Sequence, residues 1–254
     1  MIHGLADNPY VFDDLAPAFT KGYRVIAYGR RGSGSSDMKG PYDIGTLAED
    51  LHGLMDALRI DRADLVGYSA DSDEITEMAA RYPDRVSRIV YFEGGYDWAG
   101  RDFATLGKAL PVGFFDPPRS AMASIDAFRA YQKMQMYPAL DDIGRIDANL
   151  RQNVVIQSDG TLKYRIPKAT VDALYSSIWA NKQRDYTRVR CPALALCSDH
   201  LYDLDLTDGR RRSDLIAYEQ KYWIRSRTSR GIACGISSQI CRSFRCRARI
   251  PASS

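Results

Sequence analysis

Histidine is scarce in this chain. Its 254 residues hold three, His3, His52 and His200, and none follows His200. A general base drawn from a late histidine is thereby excluded for the chain as written. Long apolar runs are missing too, since nothing approaches the roughly 20 residues that span a bilayer. The opening Met1-Ile2-His3-Gly4 lacks the basic-then-apolar pattern of a secretory signal. No membrane association is expected, and a cytoplasmic location is. Cysteine occurs five times, an odd number at no metal-like spacing. That supports neither a disulfide framework nor a zinc site, and no cofactor is expected. Internal repeats are absent. So are acidic residues from Arg225 onward, where seven arginines fall. Without that stretch the chain carries 28 basic against 32 acidic residues, so the overall charge of +3 hides a body near −4.

What is present reads as a globular α/β protein. Hydrophobic residues make up 45% and charged residues 26%, the balance of a chain that can bury one large core or a core plus a cap. Ile2-His3-Gly4 has the look of a strand end entering a loop. Tyr23–Tyr28 predicts a second strand, followed by a Gly/Ser turn through Asp37. Thr46-Leu47-Ala48-Glu49 matches a capping box. Behind it Leu47, Leu51, Leu54, Met55 and Leu58 recur at helical spacing. Ala63–Gly67 is a short apolar strand that delivers Ser69 to a sharp turn. A helix then runs to about Arg81, where Pro83 stops it. Val86–Phe92 predicts another strand, entering Glu93-Gly94-Gly95. Strand and helix alternate, which predicts a mostly parallel sheet with helices on both faces.

From about Trp98 to Arg188 the rhythm breaks. Helical stretches, Pro117-Pro118 and a hairpin signal at Asp159-Gly160 suggest a mainly helical cap inserted into the core. Pro192–Cys197 resumes the sheet, and a helix from about Asp208 to Trp223 follows. The expected division is a core over 1–97, a cap over 98–188, resumed core over 189–224 and a basic, disordered tail over 225–254.

Four ordered landmarks resemble the α/β-hydrolase superfamily. His3-Gly4 resembles its oxyanion loop. Tyr28-Gly29-Arg30-Arg31-Gly32-Ser33-Gly34-Ser35-Ser36-Asp37 resembles its Asp-x-Arg-Gly-x-Gly-x-Ser loop. Gly67-Tyr68-Ser69-Ala70-Asp71 resembles its nucleophile elbow, and Tyr82-Pro83-Asp84-Arg85-Val86 the stretch that closes the elbow helix. The likeness extends from residue 1 to about 224. It implies an α/β-hydrolase fold and a serine hydrolase acting on an ester or similar small acyl compound. It also implies roles. Ser69 would be the nucleophile, and the N–H groups of Leu5 and Ala70 would form the oxyanion hole. Glu93 or Asp199 would be the acid, with Asp203 a weaker third. His3, on the oxyanion side, would shape the loop rather than act as base. His52 would lie on the solvent side of its helix, and His200 adjoins the acid strand.

Two positions depart from the family pattern. Asp71 stands where glycine or alanine is usual, placing bulk and negative charge two residues from the nucleophile. Gly29 stands where the pattern has aspartate. The family's own histidine position, on a loop after the last strand, has no counterpart.

The tail offers a reason. Arg225–Ser254 has no amphipathic period, and its arginines lack aromatic interleaving, so nucleic acid is not the expected partner. Arg247-Ala248-Arg249-Ile250-Pro251 can be encoded so that the neighbouring frame reads Pro-Gly-Thr-His, which resembles the family's histidine loop. The expectation is a reading frame shifted near Ile224 and a start that lacks the strand preceding His3-Gly4. A non-catalytic, ligand-binding hydrolase fold is the competing expectation. The aromatic residues of the cap suit an apolar acyl substrate, or else form the cap's own core. Substrate identity and oligomeric state are not legible.

Overall fold

The computed structural model describes residues 1–94, 117–135, 137, 140–180, 186–198 and 241–246. The predicted Asp208–Trp223 helix and the sites at Asp199, His200 and Asp203 lie outside them.

Four parallel strands form the sheet, in the order β1 (Ala63–Tyr68), β2 (Val86–Phe92), β5 (Ala193–Ser198) and β6 (Cys241–Cys246). Gly67 pairs with Tyr91 and Tyr68 with Phe92, while Phe92 pairs in turn with Leu196. The C-terminal ends of β1, β2 and β5 are therefore level, the arrangement that leaves functional loops on one edge of a parallel sheet. Ile2 extends the order beyond β1, bridging Gly67 on one side and Tyr28 on the other. The predicted strand Tyr23–Tyr28 makes only that one bridge, at Tyr28. A ladder needs successive pairs, and Ile2 supplies a single partner.

Within the basic segment expected to be disordered, Cys241–Cys246 runs as β6, in register with β5 from Ala193–Cys241 to Ser198–Cys246.

Helix α1 (Ile44–Ala57) begins three residues earlier than its capping-box reading. Asp43 is the N-cap: its carboxylate accepts from the Thr46 N–H at 2.9 Å and from the Thr46 hydroxyl at 2.7 Å. Glu49 instead reaches out to the Tyr82 hydroxyl at 2.7 Å and to Arg81 at 3.0 Å. Leu47, Leu51 and Met55 are buried as their spacing predicts, with Ile44 and Ala48 beside them. Helix α2 (Ser72–Arg81) stops before Pro83. It buries Ile75, Met78 and Ala79 in the main core with Leu65, Val86, Ile89 and Tyr91 from the sheet.

Between β2 and β5 come α3 (Ile125–Gln135), α4 (Asp147–Asn153), the hairpin β3 (Val154–Ile156) and β4 (Leu162–Tyr164), and α5 (Lys168–Ala180). The hairpin sits where Asp159-Gly160 predicts one, with Gly160 at φ +83°. Phe128, Leu150, Val154 and Leu162 form a separate apolar cluster joined by Tyr137 and Tyr164. Phe128 and Tyr164 meet edge to face, ring centroids 6.1 Å apart. These aromatics fill the segment's own core, which is the plainer of the two readings of its composition.

Met78 is wholly buried between α2 and the sheet. Met78→Ala should lower the urea-derived stability by about 2–5 kcal/mol, the usual cost of emptying such a site. Tyr10→Ala, at an exposed ring, should change it by less than about 0.5 kcal/mol.

Candidate active site

Strand β1 ends at Tyr68, and the chain turns at once through Ser69-Ala70-Asp71 into α2. Ser69 adopts φ +58°, the left-handed region. L-residues occupy it at a cost of roughly 1–2 kcal/mol, and that turn is what raises a serine side chain above a sheet edge.

Two glycines close on this turn from opposite sides. A Cβ on Gly4 would lie 3.0 Å from the Tyr68 ring and 3.5 Å from Ser69 Cβ. A Cβ on Gly94 would overlap Ser72 Oγ and the Ser69 carbonyl. Only bare backbone fits at Gly94, so the chain leaving β2 runs directly against the elbow and brings Glu93 to it. Glu93 is itself at φ +48° and donates its N–H to the Leu196 carbonyl at 2.9 Å.

The other neighbour is the loop after Ile2. Ile2 donates to the Val66 carbonyl at 2.8 Å and accepts from the Tyr68 N–H at 3.1 Å. That pairing sets His3-Gly4-Leu5 alongside the end of β1. Leu5 packs with Ala70 in a small cluster with Ile44 and Leu47. The Asp7 N–H closes a turn onto the Gly4 carbonyl at 3.2 Å, with Ala6 at φ +57°. The structure thus brings Ser69, Leu5, Ala70 and Glu93 to one place.

His3 is fully buried under this loop. Its Nδ1 lies 2.9 Å from the Gly4 carbonyl and its Nε2 2.9 Å from Ser33 Oγ. A carbonyl can only accept, so Nδ1 carries the proton, and the Ser33 hydroxyl is shared between the bare Nε2 and the Arg30 carbonyl, 3.0 Å away. Burial, with Arg30 nearby, lowers its pKa to about 3. His3 is a neutral strut, as its place in the sequence suggests. His52 stacks on Tyr82 with centroids 4.0 Å apart, and its Nε2 faces Arg85 Nη1 at 2.8 Å. Neither ring is directed at Ser69.

Asp71 carries no free charge toward the nucleophile. It is wholly buried and ion-paired with Arg30, also buried, whose Nη1 stands 3.9 Å from Glu74 Oε2. Tyr28 donates its hydroxyl to Glu74. Arg30 lies in the preceding glycine-rich loop, and nothing local in the sequence joins it to Asp71. The group holds one guanidinium and two carboxylates, and Arg30 Nε and Nη2 have no hydrogen-bond partner among the described residues. Burial raises Glu74 to about 7 against the pull of Arg30 and Tyr28. Glu74 can thus keep its proton near neutral pH.

Gly29, the other departure, sits against Ser36, whose Oγ donates to the Gly29 carbonyl at 2.5 Å. Among the described residues no cluster of His, Cys, Asp and Glu could hold a metal. No helix among them is long and apolar enough to cross a membrane.

A family profile described as alpha/beta hydrolase fold matches residues 1–142. The chain belongs to the α/β-hydrolase family. A protein of Caulobacter sp. (strain K31) that bears the carbamate hydrolase name RutD is 27% identical over 216 residues, 83% of this chain and 75% of that one. The 2-(acetamidomethylene)succinate hydrolase of Mesorhizobium japonicum (strain LMG 29417 / CECT 9101 / MAFF 303099) is 35% identical over 89 residues, covering 35% of this chain and 32% of that one. A crystal structure of E-2-(acetamidomethylene)succinate hydrolase superposes with a TM-score of 0.66 at 23% identity, over 86% of this chain and 77% of that one. At that identity the superposition speaks for the fold alone. By family, this α/β hydrolase is related to hydrolases and esterases.

Glu74 supplies a test of the electrostatics. Its folded pKa, about 7, lies above the ordinary 4.5. The folded state therefore holds a proton that the unfolded chain releases, and the stability this contributes is lost as pH rises from 4.5 through 7. His3 works the other way: lowered to about 3 from 6.5, it costs stability as pH falls through that range. Glu74→Gln removes only the first effect. Urea midpoints at pH 5 and pH 7.5 should show the variant gaining on the native chain at the higher pH.

Proposed function

We propose that this α/β hydrolase is a serine hydrolase for small acyl compounds, esters first, held to slow turnover because neither described histidine, His3 nor His52, serves its elbow as a base. The observation that carries this reading is the left-handed Ser69, packed between Gly4 and Gly94 with Leu5 and Ala70 alongside. Ser69 Oγ attacks the acyl carbon. The N–H groups of Leu5 and Ala70 stabilise the oxyanion, and neither has a hydrogen-bond partner among the described residues. Fixed donors of this kind are worth roughly 100- to 1,000-fold in rate each. Glu93 is the acid that orients a base, with Asp199 the alternative after β5. Among the described residues the base is the missing part, since His3 is locked to Gly4 and Ser33 and His52 to Tyr82 and Arg85. An oxyanion hole without a complete triad still leaves roughly 1,000- to 10,000-fold catalysis over water.

The relatives' names, a carbamate hydrolase and a hydrolase of an acetamido compound, favour carbamates and amides as the next substrates to try. The second reading, a fold that binds acyl compounds without turning them over, draws on the same missing base.

The two readings separate on p-nitrophenyl acetate. Slow hydrolysis by the native chain should disappear in Ser69→Ala. Added imidazole should raise the Ser69-dependent rate at least tenfold, after subtracting imidazole's own reaction measured with the Ser69→Ala protein. Equal rates from the two proteins, with and without imidazole, would refute the catalytic reading and favour the binding one.

A further inference from the structure

The oxyanion turn, Gly4 to Asp7, is held from two sides. On the core side His3 bonds the Gly4 carbonyl and Ser33. On the other side stand three asparagines, two of them from the segment between β2 and β5. Asn149 Nδ2, on α4, donates to Asp7 Oδ1 at 2.6 Å. The same Oδ1 accepts from the Asn8 N–H at 2.9 Å. Asn8 Nδ2 donates to the Asn149 carbonyl at 3.0 Å and to Asn153 Oδ1 at 2.8 Å. Asn8 Oδ1 accepts from the Tyr10 N–H at 3.0 Å. Asn8 and Asn149 are buried almost completely. Burial pushes the Asp7 pKa up, and the bonds from Asn149, Asn8 and Asn153 oppose it.

A buried amide left without partners keeps the full penalty of its lost hydration, so polar side chains are placed inside only where each bond is met. Here the bonds are met by joining two parts of the fold whose apolar clusters are separate. The contact falls next to Leu5 rather than at some other point on the surface. Elsewhere the same segment touches the core through Gln152 and Ser35 at 2.7 Å and through Arg145 and Asp14 at 2.8 Å.

We propose that Asn149 is a positioning residue for the oxyanion hole: through Asp7 and Asn8, α4 holds the turn that aims the Leu5 N–H. The consequence for catalysis rests on the assignment of Leu5 as a donor. The mechanical part, that α4 immobilises residues 4–8, does not. Asn149 acts only through the turn and touches no reacting atom.

The isosteric Asn149→Asp sets a carboxylate against Asp7 without changing shape. Hydrogen–deuterium exchange of peptides spanning residues 4–15 should rise at least tenfold in rate. With p-nitrophenyl acetate and imidazole, kcat should fall about tenfold while KM stays within twofold, because a misaimed donor weakens the transition state rather than substrate binding. The reciprocal pair Asp7→Asn with Asn149→Asp restores one donor facing one acceptor, and both readouts should return toward native values. Gln152→Ala, which cuts a different contact, should leave both unchanged. Asn149→Ala serves as a second disruption should the aspartate variant fail to fold.

Native exchange at residues 4–15 in both Asn149 variants would overturn the proposal, as would a reciprocal pair no better than Asn149→Asp alone. Absence of Ser69-dependent turnover in the native chain would sink the catalytic reading on its own. Exchange then decides whether α4 holds the turn: faster exchange in Asn149→Asp, recovered in the pair, supports it, and no change refutes it.

Discussion

A serine in the left-handed region at the end of a parallel strand is an unfavourable local choice, and the rest of the site consists of what holds it there. Ser69 is at φ +58°. Its backbone is gripped by Gly4 from the Ile2 loop and by Gly94 from the end of β2, at distances that admit no side chain on Gly94. Helix α2 begins immediately and buries Ile75 and Met78 completely against the sheet. Apolar burial at about 25 cal/mol per Å² supplies the free energy that offsets the strained turn. The elbow is thus the point where sheet, helix and two loops must agree, which is how backbone strain persists in a folded protein.

The charge beneath the elbow obeys a second constraint. Asp71 and Glu74 lie in the first turn of α2 or next to it, where the helix dipole favours negative charge. Both are fully buried, and Arg30 is the guanidinium that faces them. Burial pushes Glu74 up, to about 7, against the pull of Arg30. Asp71 pairs with the same guanidinium in the core and does not stand alone beside Ser69.

The third constraint couples the inserted segment to the site. Its apolar cluster around Phe128 and Leu150 is its own, so packing inside the segment does not determine where it docks. The buried amides at Asn8 and Asn149 tie it to the loop after Gly4, and hydrogen bonds are directional where apolar contacts are not.

Much of this was legible in the residues. The alternation of strand and helix from residue 63 to 92, the stop at Pro83, the hairpin at Asp159-Gly160 and the turn at Ser69 follow from local rules of period, proline and glycine. So does the buried stripe Leu47, Leu51 and Met55. What went astray was also local: Asp43 outcompetes Thr46 as the cap because its carboxylate reaches both Thr46 groups. Tyr23–Tyr28 lacks a partner longer than Ile2 among the described residues. Tertiary structure alone decided the pairing of Arg30 with Asp71, the confinement of His3, and the asparagine contacts around Asp7. Each joins residues from separate segments, and pattern along a chain carries no record of which distant side chains share a desolvated space. Local pattern marked the elbow strand, the helix after it, the Asp159-Gly160 hairpin and the family motifs. The three-dimensional packing determined which charges are silenced, which histidines are unavailable, and what holds the turn beside Ser69.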